Sequence, residues 1–102
     1  MKALLIDAEQ QTIEETEVQG REDIARLVGY DTLESDAIGP DGDRLYFDEE
    51  CFLRGTAGRF QIDSVIPVSG KGVVVGANAD GSELKDVTST PETLRERLKY
   101  LS

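Results

Sequence analysis

The chain has 102 residues and a net charge of −10, with no histidine, no tryptophan and a single cysteine. The missing histidines exclude Ser-His and Cys-His catalytic pairs, histidine acid–base chemistry and histidine zinc ligation, and one cysteine excludes an internal disulfide or a thiolate zinc site. At this length one domain is expected, spanning residues 1–102 and burying about two-thirds of its unfolded surface.

The acid is unevenly placed: residues 1–50 hold 15 Asp and Glu against 4 Lys and Arg, and residues 51–102 hold 6 against 7. An acidic half repels nucleic acid and anionic membranes and attracts basic surfaces, and it also serves solubility. The first apolar run, Ala3-Leu4-Leu5-Ile6, is cut by Asp7. That is too short for a signal-peptide core or a membrane span, so a reducing, cytoplasmic setting is expected.

Residues 2–8 centre on Leu4, Leu5 and Ile6 and predict a largely buried strand. A turn at Glu9-Gln10-Gln11 leads to residues 12–18, a second strand whose glutamates suit an exposed sheet edge. Residues 20–28 predict a short helix, with Glu22 and Asp23 in its first turn and Ile24, Leu27 and Val28 on one face; Gly29 is the expected left-handed stop. Residues 31–38 and 44–48 predict a second hairpin around Gly39-Pro40-Asp41-Gly42.

Cys51-Phe52-Leu53 is expected to pack inward. Arg54 and Arg59 flank the small-residue loop Gly55-Thr56-Ala57-Gly58, and Pro67 interrupts the apolar residues around it, which predicts irregular chain there. Val73-Val74-Val75 alternates on neither face and predicts a central strand buried on both. An Asp80-Gly81 turn follows it. Thr90 as N-cap and Pro91 at the first helical position open a last helix with Leu94, Leu98 and Leu101 on one stripe. The order β-β-α-β-β-(loop)-β-α predicts an α+β fold, a mainly antiparallel sheet of about five strands with two helices on one face.

Few residue groups point to chemistry. Gly70-Lys71-Gly72 precedes a strand and lacks the spacing of a P-loop. Two readings stand: a backbone nest holding an anion with Lys71, Arg54 and Arg59, or a tight turn in which glycine supplies positive φ. Ser69 and Lys71 form a weak nucleophile–base pair. The oxygen-rich stretch from Asn78 to Asp86 lacks the twelfth-position glutamate of a calcium loop. Asp41-Gly42-Asp43 with Asp48-Glu49-Glu50 can gather a hard cation or form solvated turns. Cys51 reads as buried filler. No metal and no cofactor are expected.

Taken together, Lys2-Ala3-Leu4-Leu5-Ile6-Asp7, Leu27-Val28-Gly29-Tyr30-Asp31-Thr32, Leu45-Tyr46-Phe47-Asp48-Glu49-Glu50, the run from Gly70 to Gly76 and the Asp80-Gly81 turn carry a resemblance. In this order they make the chain similar to domain-of-unknown-function family 3846, small acidic proteins frequent in bacteriophages, plasmids and integrated mobile elements. The usual glycine after the Asp-Glu-Glu turn is Cys51 here. The resemblance implies a stand-alone accessory protein and brings no catalytic or ligand residues.

The expected function is therefore non-catalytic binding, as a counter-defence factor of a phage or plasmid. Two surfaces are candidates. A small phosphorylated signal would sit at Arg54, Arg59, Gly70, Lys71 and Gly72, with a homo-oligomer completing the site. A host protein with a basic surface would meet the acids Glu14, Glu15, Glu17, Asp41, Asp43, Asp48 and Glu49. The rivals are an acidic DNA mimic that blocks a DNA-binding enzyme, and a small carboxylate- and metal-dependent enzyme.

Overall fold

The computed structural model describes residues 1–63, 65–78 and 82–101. Strands β1 (Lys2–Asp7) and β2 (Thr12–Glu17) form the first hairpin, followed by helix α1 (Arg21–Val28). Strands β3 (Leu33–Ala37) and β4 (Asp43–Asp48) form the second hairpin, which ends in a single 3-10 turn at Cys51–Leu53. Next come β5 (Arg59–Ile62), β6 (Val68–Ser69), β7 (Lys71–Ala77), β8 (Leu84–Lys85), helix α2 (Pro91–Arg97) and β9 (Leu98–Leu101). The fold is α+β and its strand pairings are antiparallel.

Six strands make the main sheet, in the order β2-β1-β7-β4-β3 with β8 pairing the end of β7; β6-β5-β9 make a smaller one. The valine run is the middle of β7, bonded to β1 on one side and β4 on the other. Period-two alternation sends Val74 to one face with Leu4, Ile6, Leu45 and Phe47. Val73 and Val75 point to the other face with Ala3, Tyr46 and the Ile24 and Val28 of α1. All three valines are fully buried, as the unbroken apolar run requires.

Two-sided burial also corrects the expected helix placement. A strand with no polar face must be covered twice, so the helices lie on opposite sides of the sheet. Helix α1 covers Val73 and Val75. On the Val74 side, α2 contributes Leu94 and the small sheet contributes Phe60, Ile62, Val68 and Leu98.

The small sheet is the other departure. Helix α2 ends at Arg97, and Leu98 turns to extended backbone with φ −104° and ψ 138°. Residues 98–101 then pair with β5, Ile62 facing Leu98 and Phe60 facing Tyr100. The stripe of Leu94, Leu98 and Leu101 is thus split between a helix and a strand, because pairing with β5 outweighs the local helical spacing. Phe52 and Leu53 are exposed, not packed inward, and Cys51 alone of the three turns into the core. The turn at Asp80-Gly81, and with it the middle of the oxygen-rich stretch, lies outside the described residues.

Local signals hold at both helix ends. Gly29 adopts φ 100°, and its N–H donates to the Ala25 carbonyl, closing α1. Thr90 accepts from the Thr93 N–H while Thr93 Oγ1 accepts from the Thr90 N–H, a reciprocal cap that starts α2 at Pro91. Among the described residues no helix is long and apolar enough to cross a membrane.

Candidate functional site

The chain passes from the small sheet to the main one at Gly70, between Ser69 of β6 and Lys71 of β7. Gly70 has φ 86°, a backbone conformation that glycine adopts without strain. Its carbonyl accepts from the Ala8 N–H at 2.9 Å and its N–H donates to the Gly58 carbonyl at 3.3 Å. That amide is spent inside the protein, so of the two readings of Gly70-Lys71-Gly72 the tight turn describes Gly70 and the backbone nest does not.

Lys71 alternates with Val73 and Val75, which places it on the α1 side of the sheet, at the end reached by the C-terminus of that helix. Asp48, at the end of β4, falls on the same side as Tyr46. A cavity of about 310 Å³ opens here. Gly29 and Tyr30, following α1, form one wall; Arg54 and Lys71 supply its cations; Thr56 and Ser69 supply hydroxyls. A wider, shallower hollow of about 720 Å³ lies between α1 and β3. It is lined by surface charges of both signs, and its Arg26 is already paired with Asp23 at 2.9 Å.

Arg54 is held from two sides. Its Nε donates to Asp48 Oδ2 at 2.8 Å, and its guanidinium lies over the Tyr30 ring, 4.0 Å from the centroid. One terminal nitrogen also donates to Thr32 Oγ1 at 3.3 Å. The Thr32 hydroxyl in turn donates to Asp48 Oδ1, which accepts from the Glu50 N–H as well. Burial opposes ionisation of Asp48, but the bonds from Arg54, Thr32 and Glu50 outweigh it and hold the carboxyl below the usual carboxylate range. The same pairing raises Arg54 above its ordinary value. The guanidinium is thus fixed in place with part of its donor fork uncommitted.

Lys71 is different. Among the described residues its side chain has neither an ion pair nor a hydrogen-bond partner, and the residue is exposed. The hydroxyls of Thr56 and Ser69 lie 2.9 Å apart and bond to each other. Cys51 closes the floor, buried, with its Sγ accepting from the Ser69 N–H at 3.4 Å. Glu9, exposed after β1, sits at the rim.

Of the five residues expected to bind an anion, Arg54, Gly70 and Lys71 therefore meet at one cavity. Arg59 and Gly72 do not. The Arg59 guanidinium lies over the ring of Phe52, 5.2 Å from its centroid, because β5 alternation turns it away from the core that Phe60 enters. Gly72 lies inside β7 on the Val74 side, where a Cβ would come within 2.7 Å of Phe60 Cζ. Its lack of a side chain makes room for an aromatic ring, not for a ligand.

The acidic residues divide in the same way. Glu14, Glu15 and Glu17 are exposed on the outer strand β2, and Asp41 and Glu49 are exposed on two separate turns. Asp43 and Asp48 are buried, at 1% and 2% exposure, so neither belongs to a partner surface. Asp43 accepts from the Thr88 and Ser89 N–H groups and the Ser89 hydroxyl, and Asp48 is committed to Arg54 and Thr32. Among the described residues no three metal-ligating side chains gather. Tyr30, Thr56 and Glu9 carry no site signal in the sequence, and Ser69 reads there only as a weak nucleophile beside Lys71. The only local hint was Tyr30 directly after the helix-ending Gly29. Compared with family models, curated proteins and solved structures, the chain matches none.

Proposed function

We propose that this protein is a non-catalytic binding protein and that the cavity between α1 and the Gly70 crossover takes a small anionic, phosphorylated ligand. One observation carries the reading. Arg54, immobilised by Asp48 and Tyr30, and Lys71, whose ammonium has no partner among the described residues, meet in one concave site with two hydroxyls. Fixed guanidinium donors with a free ammonium are the groups that recognise phosphate oxygens, and a positioned donor costs little further ordering on binding. Following the resemblance to mobile-element proteins, the physiological role we propose is sequestration of a small host signal by a phage or plasmid.

Calorimetric titration at low salt tests this. Phosphate and small phosphorylated compounds should give measurable heats, and Lys71→Ala should weaken binding about tenfold, the scale of one charge-assisted hydrogen bond. Absence of heat with every such compound at millimolar concentration would remove the reading.

A second reading has its own support. Glu14, Glu15 and Glu17 stand exposed on the outer strand of the main sheet, with Glu15 and Glu17 on one side about 7 Å apart. That edge suits a host protein with a basic surface, and binding there would weaken steeply with salt. The DNA-mimic version is the weaker form of it, because Asp43 and Asp48 are withdrawn from the surface.

A further inference from the structure

We infer that the ligand of this cavity is a nucleotide of mononucleotide size carrying an amino-substituted base; the inference rests on the anion-binding reading above. Three chemical features of the wall match the three parts of such a molecule, and Arg54 serves two of them, by its edge and by its face. Arg54 and Lys71 supply positive charge for the phosphate. Glu9, at the rim, supplies a carboxylate, the group that accepts hydrogen bonds from ribose hydroxyls and has no use against a bare phosphate. The Arg54 guanidinium on the Tyr30 ring, 4.0 Å from the centroid, supplies a planar platform, and a base is the ligand part that extends such a stack.

The end of α1 adds discrimination among bases. Val28 and Gly29 line the cavity at the C-terminal end of α1, where the Ala25 carbonyl is taken by the Gly29 N–H and the carbonyls that follow it are the acceptors a helix end offers. These acceptors suit the exocyclic amine of adenine, cytosine or guanine, and uracil has none to offer. Size sets the upper limit. At about 310 Å³ the cavity stands at the low end of the range for small-molecule sites, about 300–1,000 Å³, so one base, one sugar and one phosphate group fill it. A dinucleotide would leave its second half in solvent.

The test is calorimetric titration of the intact protein with inorganic phosphate, ribose 5-phosphate, AMP, dAMP, UMP and the dinucleotide ApA. AMP should bind at least tenfold more tightly than ribose 5-phosphate and more tightly than UMP, with no gain from the second nucleotide of ApA. Tyr30→Ala should erase the advantage of AMP over ribose 5-phosphate, whatever it does to phosphate binding through Arg54, and Tyr30→Phe should keep that advantage. Glu9→Ala, which removes the acceptor, should bring AMP and dAMP to equal affinity. Far-ultraviolet circular dichroism confirms that each variant is folded. If ribose 5-phosphate binds as tightly as AMP, or if the Tyr30→Ala variant keeps the full advantage of AMP over ribose 5-phosphate, the nucleotide inference falls and the anion reading stands. If none of the six compounds binds, the anion reading itself falls and takes this inference with it.

Discussion

Asp43→Ala is expected to lower the unfolding free energy by about 3 kcal/mol, whereas Asp41→Ala, two residues away in the same hairpin, should cost under about 0.5 kcal/mol. Asp41 is exposed in the turn. Asp43 is 1% exposed and accepts three hydrogen bonds, at 2.9 Å from the Thr88 N–H, 3.0 Å from the Ser89 N–H and 2.7 Å from the Ser89 hydroxyl. Those donors belong to the segment that delivers the chain to the Thr90 cap, so the carboxylate ties the start of α2 to the start of β4. Truncation leaves backbone donors without an acceptor, and an orphaned buried donor costs more than the net worth of the bond it made. Asp43→Asn should fall between the two, since its amide keeps one acceptor oxygen and sets an NH₂ group against donors. Denaturant unfolding of the three variants measures the order. Equal midpoints for Asp41→Ala and Asp43→Ala would show that the carboxylate carries no such load.

Gly72→Ala is expected to cost about 2–3 kcal/mol, a large penalty for one methyl group. A Cβ at this position would lie 2.7 Å from Phe60 Cζ and 2.9 Å from Leu45 Cδ1. Both neighbours are fully buried, so neither has solvent to move into. The Phe60 ring seats in the gap that glycine leaves in β7 and thereby docks the small sheet on the large one. The cost should therefore be coupled to Phe60. In the Gly72→Ala, Phe60→Leu double variant the loss should be smaller than the sum of the single losses by about 1 kcal/mol or more, because the shorter side chain relieves the collision. Strict additivity in denaturant unfolding would separate the two residues and overturn this account of how the layers meet.

Gly70 and Gly72 show how much the sequence reveals and where it stops. Both flank Lys71 and look alike in the sequence, yet one turns the chain with positive φ and the other makes room for a ring. Which role each plays depends on Phe60, which is distant in sequence and reaches Gly72 only once β5 has folded over the main sheet. Local, repeating signals were legible: the valine run as the central strand, both hairpins, the Gly29 stop and the Thr90-Pro91 start. The β5–β9 pairing was not, because its strands lie at opposite ends of residues 59–101 and Pro67 breaks the apolar pattern between them.

The helix faces were misplaced for a related reason. Residues 73–75 signalled two buried faces, but nothing local says which element covers which. The acids follow the same rule. Asp43 and Asp48 read as solvated because turn-forming neighbours surround them, and the donors for Asp43 come from 45 and 46 residues further along. At the site, the cationic character of Arg54 and Lys71 was visible. What fixes Arg54 was not, since Asp48 and Tyr30 approach it from two different elements.

The most direct test of the binding account is amide chemical-shift mapping of the ¹⁵N-labelled protein during titration with phosphate and with AMP. The account predicts saturable shifts clustered at Gly29, Tyr30, Thr56, Gly70 and Lys71, with the edge strand of Glu14, Glu15 and Glu17 unmoved. Shifts confined to that edge or scattered without saturation, with the cavity amides still, would contradict it.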